Sequence, residues 1–160
     1  MSETRVGFGF DVHPLSDDAS RPLILGGVVF AGERGLVGHS DADVVAHAVA
    51  DALLGGAGLG DVGDHFPDTD PKWRGADSMA LLGAVVAHVA DEGWQINNVD
   101  TTVVLEAPRL ARHRPEMVAR LAAVVSAPVS VKAKRAEGLG SLGRGEGIAC
   151  WAVCLLERQR

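Results

Sequence analysis

Short apolar runs alternate with longer amphipathic stretches along the whole chain, and few architectures accept that order. Helices layered on a sheet do. Residues 6–12 and 22–30 ("PLILGGVVF") read as two strands, followed by a helix over 40–58 ("SDADVVAHAVADALLGGAG") and a second over 75–94 that stops near Gly93. A strand over 98–107 ("NVDTTVVLEA") precedes a third helix opened by Pro115, because proline suits a first helical turn. The runs 129–134 ("VSVKAK") and 148–156 ("IACWAVCLL") complete the strands. The expected fold class is α/β (α+β), with a mixed four-stranded sheet covered by helices on one face. With no composition break, linker or repeat, residues 1–160 are expected to form a single domain with its own core.

The first strand ends on "FDVH". Side chains two apart share one side of a sheet, so Asp11 and His13 project together while Phe10 and Val12 face the other way. Alone, such a pair reads equally as a strand-end aspartate beside a surface histidine. The first helix supplies a third ligand. Ser40, with Asp43 three residues on, resembles a capping box with Asp in place of Glu and sets the expected helix start. Asp43, His47 and Asp51 then form one polar stripe, while Val44, Val45, Ala48, Ala52 and Leu53 carry the apolar surface. A buried stripe without partners would cost several kcal/mol, so it must face solvent, a metal or other polar groups. Asp11, His13 and His47 make a two-histidine, one-carboxylate set, the ligand count of a zinc site with one open position. Asp51, one turn along, is placed to orient His47.

Charge is divided unevenly. Residues 1–100 carry 16 Asp and Glu against 5 Lys and Arg, whereas residues 101–160 carry 10 Lys and Arg against 5 Asp and Glu, within a net charge of −6. An acidic half suits cations and a basic half suits anions, while the overall sign argues against nucleic acid as a general partner. No apolar run reaches membrane-spanning length, and "MSETRVGFGF" lacks the basic-then-apolar pattern of a signal peptide, so a cytoplasmic protein with no membrane partner is expected. Cys150 and Cys154 fall on one strand face and read as small buried hydrophobes.

Near the C-terminus, "EGLGSLGRGEG" places Gly138, Gly140 and Gly143 in G-x-G-x-x-G register. A dinucleotide turn leads into a helix, whereas this one leads into a strand, so that match is discounted. A flexible loop whose amides, with Lys132, Lys134, Arg135 and Arg144 nearby, approach phosphate oxygens is the better reading. Glu137, set among these cations, suits a hard divalent ion shared with a diphosphate.

Together, "GFGFDVHPL", "GHSDADVVAHAVADALLGGAGLGDVGDHFPDTDP", "GADSM" and "GRGEGIA", in this order, resemble the 2-C-methyl-D-erythritol 2,4-cyclodiphosphate synthases of the non-mevalonate isoprenoid pathway. The resemblance implies a homotrimer with active sites between neighbouring subunits. It implies cyclisation of 4-diphosphocytidyl-2-C-methyl-D-erythritol 2-phosphate with release of CMP: the 2-phosphate attacks the β-phosphorus, and two cations offset the repulsion between the anions. Positions matching Asp11, Val12 and His13 border the substrate, and Asp11, His13 and His47 bind a divalent cation, usually zinc, one per subunit. His39 and Ser40 match a phosphate-contacting pair, with the histidine assigned to transition-state stabilisation. Asp61, Val62 and Gly63 match a segment holding substrate hydroxyls, and Phe66, Pro67, Asp68, Thr69 and Asp70 match a mobile loop closing over the erythritol. Leu105, Glu106, Ala107, Pro108, Arg109, Leu110 and Ala111 match part of the cytidine-phosphate site, as do Lys134, Arg135, Ala136 and Glu137 for the diphosphate. Glu137 matches the ligand of a second ion, magnesium or manganese. Ser141 and Arg144 complete the implied substrate contacts.

Three positions depart from the family pattern. Arg135 stands where a threonine commonly stabilises the transition state, Ser141 replaces a frequent Phe, and Leu105 replaces a smaller residue. Arg135 is expected to keep the phosphate role. Arg144 and Glu146 match residues near the trimer axis, where some relatives hold an isoprenoid diphosphate; an intersubunit ion pair is the alternative. His65 lies beside the mobile loop, while His88 and His113 are expected to be structural or solvated. Two rivals remain on the residues: a non-catalytic trimer that binds nucleotide diphosphates, and a zinc phosphohydrolase that activates water. No cytidylyltransferase-like extension is present, so a stand-alone synthase is expected.

Overall fold

The structure, a computed structural model, describes residues 1–159. Two long strands, β1 (Ser2–Pro14) and β6 (Gly147–Gln159), pair antiparallel along their whole length, from Ser2 opposite Gln159 to Pro14 opposite Gly147. On the other side of β6 lies antiparallel β4 (Gln95–Val104), and β5 (Val129–Lys134) runs parallel to β4 at the far edge. The order is therefore β1-β6-β4-β5. Since β6 alone runs against the others, β1, β4 and β5 all end on the same rim of the sheet.

Helices α1 (Val44–Ala57), α3 (Ser78–Asp91) and α4 (Arg114–Val125) are joined to the sheet by one apolar core, in which Leu53, Leu82, Met117, Leu121, Ile148 and Leu156 are fully buried. Alternation explains the other face. Val6, Phe8, Phe10, Val12 and Val153 point away from the helices and stay exposed, with Phe10 against the Trp151 ring at 4.9 Å. Helices thus cover one face of a mixed four-stranded sheet, as the pattern predicts.

Several boundaries differ from the sequence reading. Residues 22–30 do not form one strand; Gly26 and Gly27, at φ 59° and 75°, fold them into a separate hairpin of β2 (Leu23–Leu25) and β3 (Val28–Phe30). The third strand begins at Gln95 and ends at Val104, short of the expected 107. The glycine-rich stretch contains a short helix, α5 (Gly140–Gly143), rather than only a loop. Helix α1 starts after Asp43 and not at Ser40. Asp43 is the cap itself: its Oδ1 accepts from Val45 N and Ala46 N, both at 3.1 Å.

Asp43 also leaves the expected polar stripe. Fully buried, it reaches back to the hairpin and accepts from Gly26 N at 2.9 Å and Gly27 N at 2.6 Å. Burial pushes its carboxyl above the usual range, and the amides of Gly27, Gly26 and Ala46 oppose that shift. One side chain thereby ties β2–β3 to the start of α1. Replacing it strands four amides, so Asp43→Ala is expected to cost about 3 kcal/mol, from a lost cap and unsatisfied buried donors. In a chain of this size that lowers the melting temperature by roughly 5–10 °C, readable by calorimetry of the metal-free protein.

Candidate metal centre and active site

Two glycines bring the ligands together. A Cβ on Gly7 would lie 1.9 Å from Ala52 O, and one on Gly9 2.0 Å from Ala48 O, so α1 sits directly on the β1 backbone. Two and four residues beyond Gly9, Asp11 and His13 point to the same face and meet His47 from α1. His13 Nε2 lies 2.9 Å and His47 Nδ1 3.0 Å from Asp11 Oδ2, and the two nitrogens are 3.3 Å apart. A tetrahedral ion at ~2.0–2.2 Å from each ligand holds ligand atoms roughly 3.3 Å apart, so the triangle fits such an ion. The remaining ring nitrogens are engaged elsewhere: His13 Nδ1 donates to Val37 O at 2.8 Å, and His47 Nε2 faces Ser78 Oγ at 2.8 Å. Both lone pairs are thus left aimed at the triangle. No other group of three such ligands occurs among the described residues.

Electrostatics agree with a cation site. Burial works to raise the Asp11 carboxyl, but hydrogen bonds from His13 and His47 and their charge hold it well below the usual carboxylate range. Burial disfavours the charged His13 ring, yet the Asp11 hydrogen bond and charge, with the Val37 carbonyl, raise it above its ordinary value. Asp51 is not the group that orients His47. Its Oδ1 accepts from Val62 N at 3.0 Å, so it anchors the turn of α2 (Val62–His65), where Asp61 is the cap.

A cavity of about 270 Å³ opens over the triangle, lined by His13, Gly38, His39, Ser40, His47, Val62, Phe66, Asp68, Trp73 and Leu81. Phe66 meets Trp73 edge-on at 5.0 Å. A second cavity, about 250 Å³, lies past the ends of β4 and β5 among Leu105, Glu106, Pro108, Arg109, Leu110, Ala111, Arg114, Ala133, Lys134 and Arg135. There Glu106 accepts from Ala136 N at 2.8 Å and pairs with Arg135 Nε at 3.3 Å. The two cavities share no residue. The acidic and basic halves of the sequence accordingly separate, one holding the Asp11–His13–His47 triangle and the other a pocket lined by Arg109, Arg114, Lys134 and Arg135.

The profile of the YgbB family matches residues 4–157. The chain belongs to that family. A Bordetella avium protein named 2-C-methyl-D-erythritol 2,4-cyclodiphosphate synthase is 57% identical over 97% of this chain and 96% of its own length. The bifunctional IspDF of Campylobacter jejuni superposes with a TM-score of 0.94 at 39% identity, covering 99% of this chain, which spans 43% of that longer one. A Plasmodium falciparum IspF in complex with CDP gives 0.84 at 29% identity, over 98% of this chain and 97% of its own.

Placed on the YgbB fold, the remaining expected residues divide clearly. His39, Ser40, Val62, Phe66 and Asp68 line the cavity over the triangle, while Asp61, Gly63, Pro67, Thr69 and Asp70, from the segment that also carries Val62, Phe66 and Asp68, do not. Asp70 instead caps the 3-10 turn Pro71–Trp73, accepting from Lys72 N at 3.0 Å. Val12 lies on the opposite sheet face and lines a small recess with Ser141, Leu142 and Glu146. Glu137 is exposed at φ 54°, and Arg144 donates to Glu146 of its own chain at 2.5 Å. His88 and His113, expected to be structural or solvated, pack tilted against other rings, His88 against His65 at 5.3 Å and His113 against Phe30 at 4.4 Å. Sequence reasoning missed Trp73, Leu81 and Arg114 as pocket walls, and gave Asp41 and Ser78 no role although both lie inside quoted motifs.

Proposed function

We propose that this YgbB-family chain converts 4-diphosphocytidyl-2-C-methyl-D-erythritol 2-phosphate to 2-C-methyl-D-erythritol 2,4-cyclodiphosphate and CMP. An oxygen of the 2-phosphate bonds to the β-phosphorus, the bond from that phosphorus to the bridging oxygen breaks, and CMP leaves with the oxygen. The observation that carries this reading is the Asp11–His13–His47 triangle at the floor of a cavity in a chain matched to the family over residues 4–157. A divalent cation held there, zinc in the resemblance, supplies Lewis-acid polarisation of a phosphoryl oxygen.

The protein's own part is positioning, because the reaction is intramolecular and needs no protein nucleophile. His39 and Ser40 stand where they can hydrogen-bond the phosphate beside the triangle, with His39 as the transition-state stabiliser. Asp61, Val62 and Gly63 hold hydroxyls, and the Phe66–Trp73 wall excludes water. The cationic pocket takes cytidine phosphate, and Arg135, tethered by Glu106, takes the place of the family threonine. Glu137 would hold a second ion, magnesium or manganese, with the substrate diphosphate completing its ligands.

Because the two cavities share no residue, assembly as a homotrimer, with one subunit's metal cavity facing a neighbour's nucleotide pocket, is part of the proposal. The exposed row Val6, Phe8, Phe10, Val12 and Val153 supports it, since such patches mark association surfaces. An isoprenoid diphosphate on the trimer axis would have to compete with Glu146 for Arg144. A cytoplasmic setting is likewise proposed; no helix among the described residues is long and apolar enough to cross a membrane.

Phosphorus NMR and mass spectrometry of the products, with zinc and magnesium present, test the reading. Cyclic diphosphate with stoichiometric CMP supports it; a linear hydrolysis product would assign a zinc phosphohydrolase, and unchanged bound substrate a nucleotide-diphosphate-binding protein. In the same assay Arg135→Thr is expected to turn over as fast or faster. Complete loss of CMP release in that variant would make the guanidinium essential.

A further inference from the structure

His47 presents its two nitrogens to different surroundings. Nδ1 faces Asp11 Oδ2 and His13 Nε2, so it must keep its lone pair free for the cation, and Nε2 therefore carries the proton. That proton points at Ser78 Oγ, 2.8 Å away, with Ser40 Oγ at 3.2 Å. Ser78 can only accept, because its own hydroxyl proton is committed to Asp41 Oδ1 through a short hydrogen bond. Asp41 is in turn fixed by backbone: Oδ2 accepts from Ser78 N at 3.1 Å, Oδ1 accepts from Asp43 N at 3.1 Å, and its own N–H donates to Ala76 O at 3.0 Å. The direction of every proton in the chain Asp41–Ser78–His47 is thus determined.

We propose that Ser78 and Asp41 are positioning residues for His47, a carboxylate–hydroxyl–imidazole relay that sets cation affinity at the Asp11–His13–His47 site. The proposal rests on the cation-site reading above. A cation draws electron density from the imidazole and makes Nε2–H a stronger donor. A hydroxyl already polarised by a carboxylate answers that demand better than a lone hydroxyl. The relay also locks the tautomer, so no free energy is lost in selecting it when the ion enters. Ser78 is 1% exposed, which keeps water from replacing the hydroxyl.

A purely structural role is poorly supported by the same geometry. Helix α3 is capped by Asp77, whose side chain accepts from Met79 N at 2.8 Å, so the start of the helix does not depend on the Ser78 hydroxyl. Ser40 sits close enough to take the His47 proton in a Ser78→Ala protein. Its bonded neighbours are Ala42 N, His47 and Ser78, with no carboxylate behind it, so compensation is incomplete.

The test measures zinc affinity by competition with a chromophoric chelator, together with the visible bands of the cobalt(II) form and melting of the metal-free protein. Ser78→Ala and Asp41→Asn should each weaken zinc by roughly 10-fold or more and shift the cobalt bands, as loss of an outer-shell partner does. Metal-free Ser78→Ala should melt where the parent does. Parental affinity and bands in both variants would overturn the relay. So would a loss of affinity accompanied by a parallel loss of melting temperature and unshifted bands, which would mark Ser78 as structural. A parent protein that binds neither zinc nor cobalt overturns the cation site itself, and is recognised before any variant is compared.

Discussion

His47→Ala is expected to lose bound zinc and to slow CMP release by about 1000-fold or more. One of three ligand atoms disappears, and Asp11 and His13 are left as a pair. Lewis-acid stabilisation of a phosphoryl transition state is worth several kcal/mol, and each ~1.4 kcal/mol is tenfold in rate. The fold should survive, since His47 faces the cavity over the triangle and alanine is the best helix former. Elemental analysis and chromatographic CMP assay check both halves; a variant that keeps zinc and parental turnover would remove the triangle from the mechanism. The pH behaviour has a definite sign. His13 is raised above its ordinary 6.5, so in the metal-free protein its bond to Asp11 contributes stability below that value and loses it as pH rises through the elevated one. Asp11 is depressed from 3.8, so its contribution is present above 3.8 and is lost as pH falls through the lowered value. The pair therefore contributes most between 3.8 and 6.5, where the proton on His13 also competes with a cation, and zinc affinity should rise with pH across the titration of His13.

Gly9→Val should cost about 3 kcal/mol or more and empty the metal site at the same time. A Cβ at Gly9 would stand 2.0 Å from Ala48 O and 2.6 Å from Ala52 N, and both are backbone atoms that no rotamer change can move. Helix α1 would have to lift by more than an ångström, carrying His47 away from two ligands on β1. Overpacking of this kind typically costs ~1–3 kcal/mol, and more where backbone must shift. A fall of roughly 10 °C in melting, with zinc lost in step, is the expected result. If Gly9→Val melted near the parent and retained its metal, close seating of α1 would not be what aligns the ligands.

The Asp11–His13–His47 triangle was legible because two local periodicities define it. Strand alternation pairs Asp11 with His13, and the helical stripe raises His47. The rest of its environment was not local. Asp43 and Asp51 share that stripe, yet one turns inward to the Gly26 and Gly27 amides and the other to Val62. Ser78 lies 31 residues from His47, and only the packing of α3 against α1 brings them together. Gly7 and Gly9 have ordinary backbone angles, so their demand for space becomes visible only with the helix in place. The hairpin at 22–30 was misread because apolar residues flank Gly26-Gly27 on both sides and disguise the turn as one continuous strand.

The separation of the two cavities has an evolutionary reading. Asp11, His13, His47 and the residues behind them all come from the first half of the chain, whereas the second cavity is built from residues 105–135. Changes at one end need not disturb the geometry of the other. Leu105 and Arg135, two of the three positions where a departure from the family pattern was expected, both line the second cavity, while the Asp11–His13–His47 triangle is complete. Under the proposed function, a lineage retunes its grip on the departing nucleotide without reopening the harder problem of placing an ion.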